Sequence, residues 1–315
     1  LITLSGPASS AAVTTHRLDG SSWSLSNANH SLILNGTVTV PSTVPDALHR
    51  GGLAFADDPH FGYTQNEVLD LMTADNFTYT LVFDYVAAKG AHVDLVLLGV
   101  DTAAVVTLNG VTLGRTNNMH TPFSFDARAA LAAARSRTHT LVVSITSATA
   151  YAQSVAAAAQ PPDPQCTKKT RNYWPQKFEH GTACATYVRK WTGSFGWDCT
   201  RAFVAQGLYK SVELRSYPVA RLNLLAPIVR SKRKKGAVLR DGDNAFDVEV
   251  RAFITVAAPV TPCHFIVAGT WPGAPAPVKT IGSLQPGGSS LDEQTNIVLT
   301  KITATNVPLW WTHDS

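Results

Sequence analysis

The feature that most constrains the fold of this chain is an alternation of apolar and polar residues with a period of two. In the clearest example, residues 246, 248, 250, 252 and 254 are apolar, and Asp247, Glu249 and Arg251 lie between them. Successive side chains of a β-strand point to opposite faces, so this pattern predicts strands buried on one side. Similar alternation occurs at 79–85, 141–145 and 208–214.

Turn signals between these stretches indicate antiparallel sheets. Asn109-Gly110 separates two short apolar runs, and a type I′ hairpin turn needs positive φ at both of its central residues. The only stretch that we interpret as helical is 127–137, rich in Ala, with Asp126 as its N-cap. The sequence therefore predicts an all-β chain built from β-sandwiches.

Length and composition agree with two compact domains. At roughly 150 residues per domain, 315 residues correspond to about two. Charged residues make up 15% and hydrophobic residues 45%, which excludes a disordered chain and a coiled coil. A boundary is expected near Tyr217-Pro218, because proline cannot donate to a strand ladder. No apolar run approaches the ~20 residues of a membrane-spanning helix, so we expect no membrane partner.

The net charge of +4 comes from one local run rather than from a basic face. A run of this kind could bind a polyanion as an interaction scaffold, but no nucleic-acid fold motif accompanies it. We therefore interpret it as a solvated loop between strands and expect no nucleic-acid partner. Six of the 26 basic residues belong to it: Arg230, Lys232, Arg233, Lys234, Lys235 and Arg240.

Cysteine and histidine spacing gives no metal site, and no phosphate-binding or dinucleotide fingerprint occurs, so no cofactor is expected. Cys166 and Cys184 flank a polar stretch and could form a disulfide worth roughly 3 kcal/mol, or they could be unrelated thiols. Cys199 and Cys263 have no obvious partner.

Three Asn-X-Ser/Thr sequons begin at Asn29, Asn35 and Asn76. Sequons within the first 80 residues favour surface loops of a protein on the secretory route, lysosomal or extracellular. Residues 1–15 are small and rich in Ser and Thr, which is compatible with a segment that follows a removed signal peptide.

Aromatic and charged residues are densest between 173 and 198. A pyranose packs its C–H face on an indole, while carboxylate and guanidinium groups bond its hydroxyls. A domain core would explain the Trp and Phe residues equally well, but not an Asp directly after Trp197, because a buried carboxylate without a partner is costly. Asp198 therefore pairs with Arg189 or Arg201, or it faces a ligand.

Several blocks of the sequence, including the aromatic and charged stretch, resemble those of the β-mannosidases. These belong to the glycoside hydrolase family that also contains β-galactosidases and β-glucuronidases. The most specific block is Ser194-Phe195-Gly196-Trp197-Asp198, preceded by Tyr187-Val188-Arg189-Lys190 and followed by Gln206-Gly207-Leu208-Tyr209. Gly99-Val100-Asp101-Thr102 and Leu309-Trp310-Trp311 are similar to earlier and later blocks. The resemblance spans about residues 17–315.

The resemblance implies an extension over 1–16, a jelly-roll, galactose-binding-like sandwich over 17–218 and an immunoglobulin-like sandwich over 219–315, truncated at its end. A TIM barrel, absent from this chain, would carry the two catalytic Glu residues, whose carboxyl groups lie about 5–5.5 Å apart in retaining enzymes. No residue of this chain is therefore assigned as catalytic.

The resemblance also implies that Trp197 and Asp198 line the sugar-binding subsite of the complete protein, supported by Arg189. The second Trp of the family block is Cys199 here. Two functions remain open. The chain is the non-catalytic N-terminal region of a hydrolase acting on terminal β-mannosides, with the barrel as partner, or it is a stand-alone carbohydrate-binding module or inactive relative.

Overall fold

The computed structural model describes most of the chain: residues 2–5, 13–53, 75–134, 136–161, 184–195, 203–232, 244–268, 276–286, 296–305 and 307. The chain divides into two units. The N-terminal unit comprises Thr15–Ala87 and Val93–Arg215, and the C-terminal unit comprises Leu1–Thr14, Ala88–His92 and Ser216–Ser315.

The N-terminal unit contains two antiparallel sheets. The six-stranded sheet has the order β4-β3-β6-β11-β8-β9, with β3 (Gly20–Asn27), β4 (Ile33–Val40), β6 (Phe77–Asp84), β8 (Ala103–Leu108), β9 (Val111–Asn117) and β11 (Thr138–Thr146). The four-stranded sheet has the order β10-β7-β13-β2, with β2 (Thr14–Arg17), β7 (His92–Leu97), β10 (Phe123–Asp126) and β13 (Val212–Tyr217). A short ladder joins β5 (Ser42–Thr43) to β12 (Gly207–Leu208).

One apolar core lies between these two sheets. Trp23, Tyr79 and Val143 enter it from the six-stranded sheet, and Leu95 and Leu214 enter it from the four-stranded sheet. Along β6, Tyr79 and Leu81 are buried whereas Val82 is 60% exposed, as the alternation predicts. The apolar faces of two sheets shield each other from water, which is the architecture of a β-sandwich.

The C-terminal unit contains two three-stranded antiparallel sheets around a separate core. One sheet has the order β14-β15-β18, with β14 (Ala220–Ser231), β15 (Ala245–Val256) and β18 (Asn296–Thr305). The other has the order β1-β16-β17, with β1 (Ile2–Ser5), β16 (Val260–Val267) and β17 (Val278–Leu284). The first four described residues, expected to lie in an extension, thus pair with β16.

The alternation along β15 separates the core from a charged outer face. Val250, Ala252 and Ile254 are buried, whereas the Glu249 carboxylate pairs with Arg251 at 2.6 Å. From the basic run, Lys232 pairs with Asp247 at 3.2 Å, and residues 233–240 lie outside the described part of the chain.

The prediction of a single helix was wrong. Among the described residues there are three short α-helices, α1 (Val44–Arg50), α2 (Arg128–Ala133) and α3 (Ala148–Ala158), and two single-turn 3₁₀ helices at Ala185–Tyr187 and Thr192–Phe195. The predicted helix is α2, and it ends early because Ala134 is already extended towards β11. Its N-cap is Ala127, and the Asp126 carboxylate instead accepts the Arg128 N–H at 2.9 Å.

Candidate functional site

The candidate site is built on residues 184–195, which end two positions before the Trp197-Asp198 pair. Val188 and Lys190 are buried, whereas Arg189 and Trp191 are exposed. The segment consists of two single-turn 3₁₀ helices, Ala185–Tyr187 and Thr192–Phe195, joined by a turn in which the Lys190 N–H donates to the Val188 carbonyl at 2.9 Å. The Arg189 carbonyl accepts the Met119 N–H at 3.0 Å, which attaches the segment to the end of β9.

A buried ion pair fixes the centre of this segment. The Lys190 ammonium contacts the Asp101 carboxylate, and both side chains are at most 5% exposed. Lys190 Nζ also donates to the Ala205 carbonyl at 2.8 Å, and the Thr102 hydroxyl donates to Asp101. Burial lowers the pKa of the Lys190 ammonium, and the Asp101 carboxylate opposes that shift.

Main-chain bonds extend this connection. The Asp101 N–H donates to the Gly207 carbonyl at 2.8 Å, and the Gly207 N–H returns a bond to Asp101 at 2.9 Å. The Asp101–Lys190 pair therefore joins three separate parts of the chain, at 101–102, 190 and 205–207. A charge pair bonded on several sides can hold one conformation in the interior.

Tyr209 completes the support of this region. Its hydroxyl donates to the Met119 carbonyl, and its ring lies so close to Gly99 that a Cβ at that position would be 2.8 Å from it. Burial raises the pKa of the Tyr209 phenol, and the charge on Asp101 acts in the same direction. The phenol is thus kept protonated, as a hydrogen-bond donor must be.

A small apolar cluster joins α3 to the segment. The buried side of α3 is lined by alanines, which allows close approach of the two backbones. The cluster comprises Ala148, Ala152, Ala156, Cys184, Ala185, Val188, Phe195 and Val204.

The described chain ends at Phe195 and resumes at Phe203 at almost the same point. The Phe203 N–H donates to the Ser194 carbonyl at 2.7 Å, and the Ser194 hydroxyl donates to the Trp191 carbonyl, also at 2.7 Å. Residues 196–202 therefore connect two neighbouring, anchored points. Trp197 and Asp198 lie within them, outside the described residues.

The other predicted residues are distributed over the N-terminal unit. Asn29, Asn35 and Asn76 are exposed, and the Asn76 Oδ1 atom accepts the Ser147 N–H at 2.8 Å. Cys184 is buried, and its predicted partner Cys166 lies outside the described residues. Arg189 is therefore the one predicted sugar-binding residue whose position the described structure gives.

Sequence reasoning gave no role to Asp101, Lys190 or Tyr209, although all three lie in the blocks on which the resemblance was based. The available signal was Lys190 itself, which shares the inward side of its segment with Val188. A lysine in a buried register requires a carboxylate partner. That partner lies 89 positions away, so local sequence does not identify it.

No group of three or more metal-ligating side chains occurs among the described residues. In the same part of the chain, no helix is long and apolar enough to cross a membrane.

Solved structures share this fold. The β-D-mannosidase of Dictyoglomus thermophilum superposes with a TM-score of 0.65 at 21% identity, covering 95% of this chain and 32% of that one. The exo-chitosanase of Amycolatopsis orientalis gives a TM-score of 0.56 at 16% identity, covering 95% of this chain and 30% of that one.

Curated relatives show clearer sequence similarity. The β-mannosidase of Mus musculus is 31% identical over 246 residues, 78% of this chain and 25% of that protein. The β-mannosidase of Rattus norvegicus is 32% identical over 265 residues, 82% of this chain and 28% of that protein. The chain thus spans about a quarter of the length of these relatives.

A family profile matches the part of the chain that contains the whole candidate site. The profile described as "Glycosyl hydrolase 2 galactose-binding domain-like" matches residues 23–210, which is more than half of the chain. The chain therefore belongs to glycosyl hydrolase family 2, as a region that contains the galactose-binding-like domain of that family.

Proposed function

We propose that this chain is the non-catalytic N-terminal region of a retaining β-mannosidase-like hydrolase acting on terminal β-mannosides. The observation that carries the proposal is the similarity to two mammalian β-mannosidases over about four fifths of the chain. The catalytic pair of Glu residues belongs to a TIM barrel, which is the main partner of this region. One Glu is the nucleophile and the other protonates the leaving-group oxygen.

The contribution of this chain to the reaction is recognition of the terminal sugar. Trp197 offers an indole face to the C–H side of the pyranose, and the Asp198 carboxylate accepts hydrogen bonds from sugar hydroxyls. Arg189 donates to the same ligand. These contacts hold the glycosidic bond in register with the barrel carboxylates, which lowers the barrier through orientation.

Two observations on described residues support this role. The Asp101–Lys190 pair anchors the chain just before Trp197, and the bond from Phe203 to Ser194 anchors it just after Asp198. A segment whose flanking residues are held in place loses less conformational entropy on binding a ligand than a free one.

The test is the change Asp198→Ala in the complete hydrolase, assayed on a chromogenic β-mannoside. We expect kcat/KM to fall by the equivalent of about 2–3 kcal/mol, because a hydrogen bond to a charged group is lost. Asp84→Ala, an exposed aspartate at the end of β6, is the matched control and should leave kcat/KM unchanged.

Unchanged kinetics with a lower melting temperature in Asp198→Ala would contradict the recognition role. Turnover of the β-mannoside by these 315 residues alone would contradict the proposal that the catalytic residues lie elsewhere.

The same proposal assigns the protein to the secretory route, lysosomal or extracellular, with glycans at Asn29, Asn35 and Asn76. It also includes a disulfide between Cys166 and Cys184. Supporting it, all three Asn side chains are exposed. Protein secreted from a eukaryotic host should lose mass when an endoglycosidase removes its glycans. Each Asn→Gln change at a sequon should reduce that loss by the mass of one glycan. A mass unchanged by the endoglycosidase would contradict the glycosylation. Labelling of both Cys166 and Cys184 by a thiol reagent would contradict the disulfide.

A further inference from the structure

Trp191 is an exposed aromatic residue that the proposed function does not use. It is 66% exposed, the highest value of any large apolar residue described. Most Trp residues bury much of their surface, and Trp is enriched among the residues that contribute most to binding at interfaces. Its surroundings show whether the ring is incidental or held in place.

The backbone around Trp191 is fixed on both sides. Its N–H donates to the Met119 sulfur at 3.1 Å, and its carbonyl accepts from the Ser194 N–H at 3.2 Å and from the Ser194 hydroxyl at 2.7 Å. The adjacent Lys190 is held by its ion pair with Asp101. The indole therefore extends from a rigid base.

The ring itself rests on Gly193. A Cβ at that position would be 2.6 Å from Trp191 Cζ2 and 2.7 Å from Cε2, a separation that real Cβ atoms do not show. Only glycine lets the benzo ring lie this close to the backbone. The ring is thus supported on one side while most of the side chain remains in solvent.

A charged donor accompanies the ring. Arg189 and Trp191 are both exposed, and the buried Lys190 lies between them. Arg189 lies in the turn closed by the 2.9 Å bond from the Lys190 N–H to the Val188 carbonyl, and Trp191 directly follows that turn. Both face solvent, so the guanidinium and the indole lie on the exposed side of the same short segment. A planar aromatic group beside a multivalent hydrogen-bond donor suits a pyranose, which has one C–H face and a rim of hydroxyls.

We propose that Trp191 and Arg189 form a sugar-binding platform that takes a pyranose unit of a β-mannoside, in addition to the contacts of Trp197 and Asp198. The sugar stacks on the indole, and its hydroxyls accept hydrogen bonds from the guanidinium. This inference rests on the proposed function for the identity of the sugar. The ring and its support come from the structure alone.

The test uses the 315-residue chain labelled with 5-fluorotryptophan, which gives one ¹⁹F resonance for each of its seven Trp residues. Trp191→Phe assigns the resonance of Trp191. We expect β-1,4-mannotriose to shift that resonance saturably, while maltotriose at the same concentration does not. Saturation-transfer signals of the mannotriose should disappear with Trp191→Ala.

Arg189→Ala should weaken mannotriose binding at least fivefold. Arg137→Ala, another exposed arginine of the N-terminal unit, is the matched control and should leave binding unchanged. A Trp191 resonance unmoved at the highest soluble mannotriose concentration would overturn the platform, as would equal binding by Trp191→Ala and the unaltered chain.

The same resonance in the complete hydrolase separates this inference from the proposed function. If the complete hydrolase cleaves β-mannosides but its Trp191 resonance is shielded from solvent and does not respond to sugar, the ring is a contact between domains. That outcome would overturn the platform and leave the proposed function intact. A Trp191 response without any cleavage would support the platform and contradict the hydrolase.

Discussion

At the scale of single residues, the Asp101–Lys190 pair is the feature on which the site depends most. Removing two charges from water costs several kcal/mol per ion, which is recovered only through good geometry and further hydrogen bonds. Here the Ala205 carbonyl and the Thr102 hydroxyl provide those bonds. Taking away one charge leaves the other buried and uncompensated.

We therefore expect Lys190→Met to lower the free energy of unfolding by about 3–5 kcal/mol, measured by urea denaturation of the 315-residue chain. Asp101→Asn combined with Lys190→Met should recover most of that loss, because no unpaired charge remains. Lys210→Met removes an exposed ammonium 5.4 Å from the Tyr209 ring centre and should cost less than about 1 kcal/mol. If Lys190→Met and Lys210→Met lower the free energy of unfolding equally, burial of the Asp101–Lys190 pair has no particular effect on stability.

Tyr79 gives a prediction about alkaline stability. Burial raises the pKa of its phenol, so the folded chain keeps this proton at a pH where the unfolded chain has lost it. The unfolded state then binds fewer protons, and the free energy of unfolding must fall as pH rises above about 10. We expect Tyr79→Phe to make this decline shallower, measured by urea denaturation from neutral to alkaline pH.

The same change should be harmless at neutral pH. The Ser42 side chain and the Leu208 main chain interact with the Tyr79 hydroxyl, so removing it should change the free energy of unfolding by less than about 1 kcal/mol. Tyr209→Phe is the control, because it loses the bond to the Met119 carbonyl and should lower stability at neutral pH. If the free energy of unfolding declines equally steeply with alkaline pH in Tyr79→Phe and in the unaltered chain, Tyr79 is not the group responsible for the decline.

At the scale of elements, the hairpin between β8 and β9 followed directly from sequence. Asn109 and Gly110 have φ values of +52° and +80°, as the predicted type I′ turn requires. The Asn109 side chain also donates to the Ala130 carbonyl and accepts the Thr140 N–H, both at 2.9 Å. The turn thus connects the hairpin to α2 and to β11.

These contacts predict an order of effects. Asn109→Ala loses three side-chain hydrogen bonds, including one to the His139 ring at 2.9 Å, and places Ala at positive φ, so it should cost about 3 kcal/mol. Gly110→Ala adds only the conformational strain and should cost about 1–2 kcal/mol. Thermal unfolding followed by circular dichroism measures both. A larger effect for Gly110→Ala would show that the turn, rather than its side-chain bonds, holds the hairpin.

The helices were predicted less well than the strands, for a physical reason. The buried residues of α3 are Ala148, Thr149, Ala152 and Ala156, which are too small to give a strong apolar stripe. Its clearest signal was Ser147, whose hydroxyl accepts the Ala150 N–H at 3.2 Å as an N-cap. Strand alternation, by contrast, is local and involves large side chains, so it could be recognised without tertiary information.

At the scale of the whole molecule, sequence predicted an all-β chain because each sheet has one apolar face, visible in single strands. For the candidate site, sequence nominated Arg189, Trp197 and Asp198, and of these the described structure contains Arg189, which is exposed. The residues that support the site were not predicted, since Asp101, Lys190 and Gly207 are far apart in sequence and are joined by an ion pair and by main-chain hydrogen bonds. Such contacts leave no periodic pattern in the chain.

The two units have separate apolar cores, and this predicts how the molecule unfolds. Leu95 is fully buried in the core of the N-terminal unit, and Ile254 is fully buried in that of the C-terminal unit. Each change to Ala removes buried methyl groups and leaves a cavity, at a cost of about 2–5 kcal/mol.

Calorimetry of the 315-residue chain should therefore resolve two transitions. Leu95→Ala should lower the midpoint of one by several degrees, and Ile254→Ala should lower the midpoint of the other. Val82→Ala and Ile281→Ala are the matched controls, because both side chains are at least 60% exposed and their truncation removes little buried surface. A single transition shifted equally by Leu95→Ala and Ile254→Ala would mean that the cores unfold cooperatively, and that the two units are one thermodynamic domain.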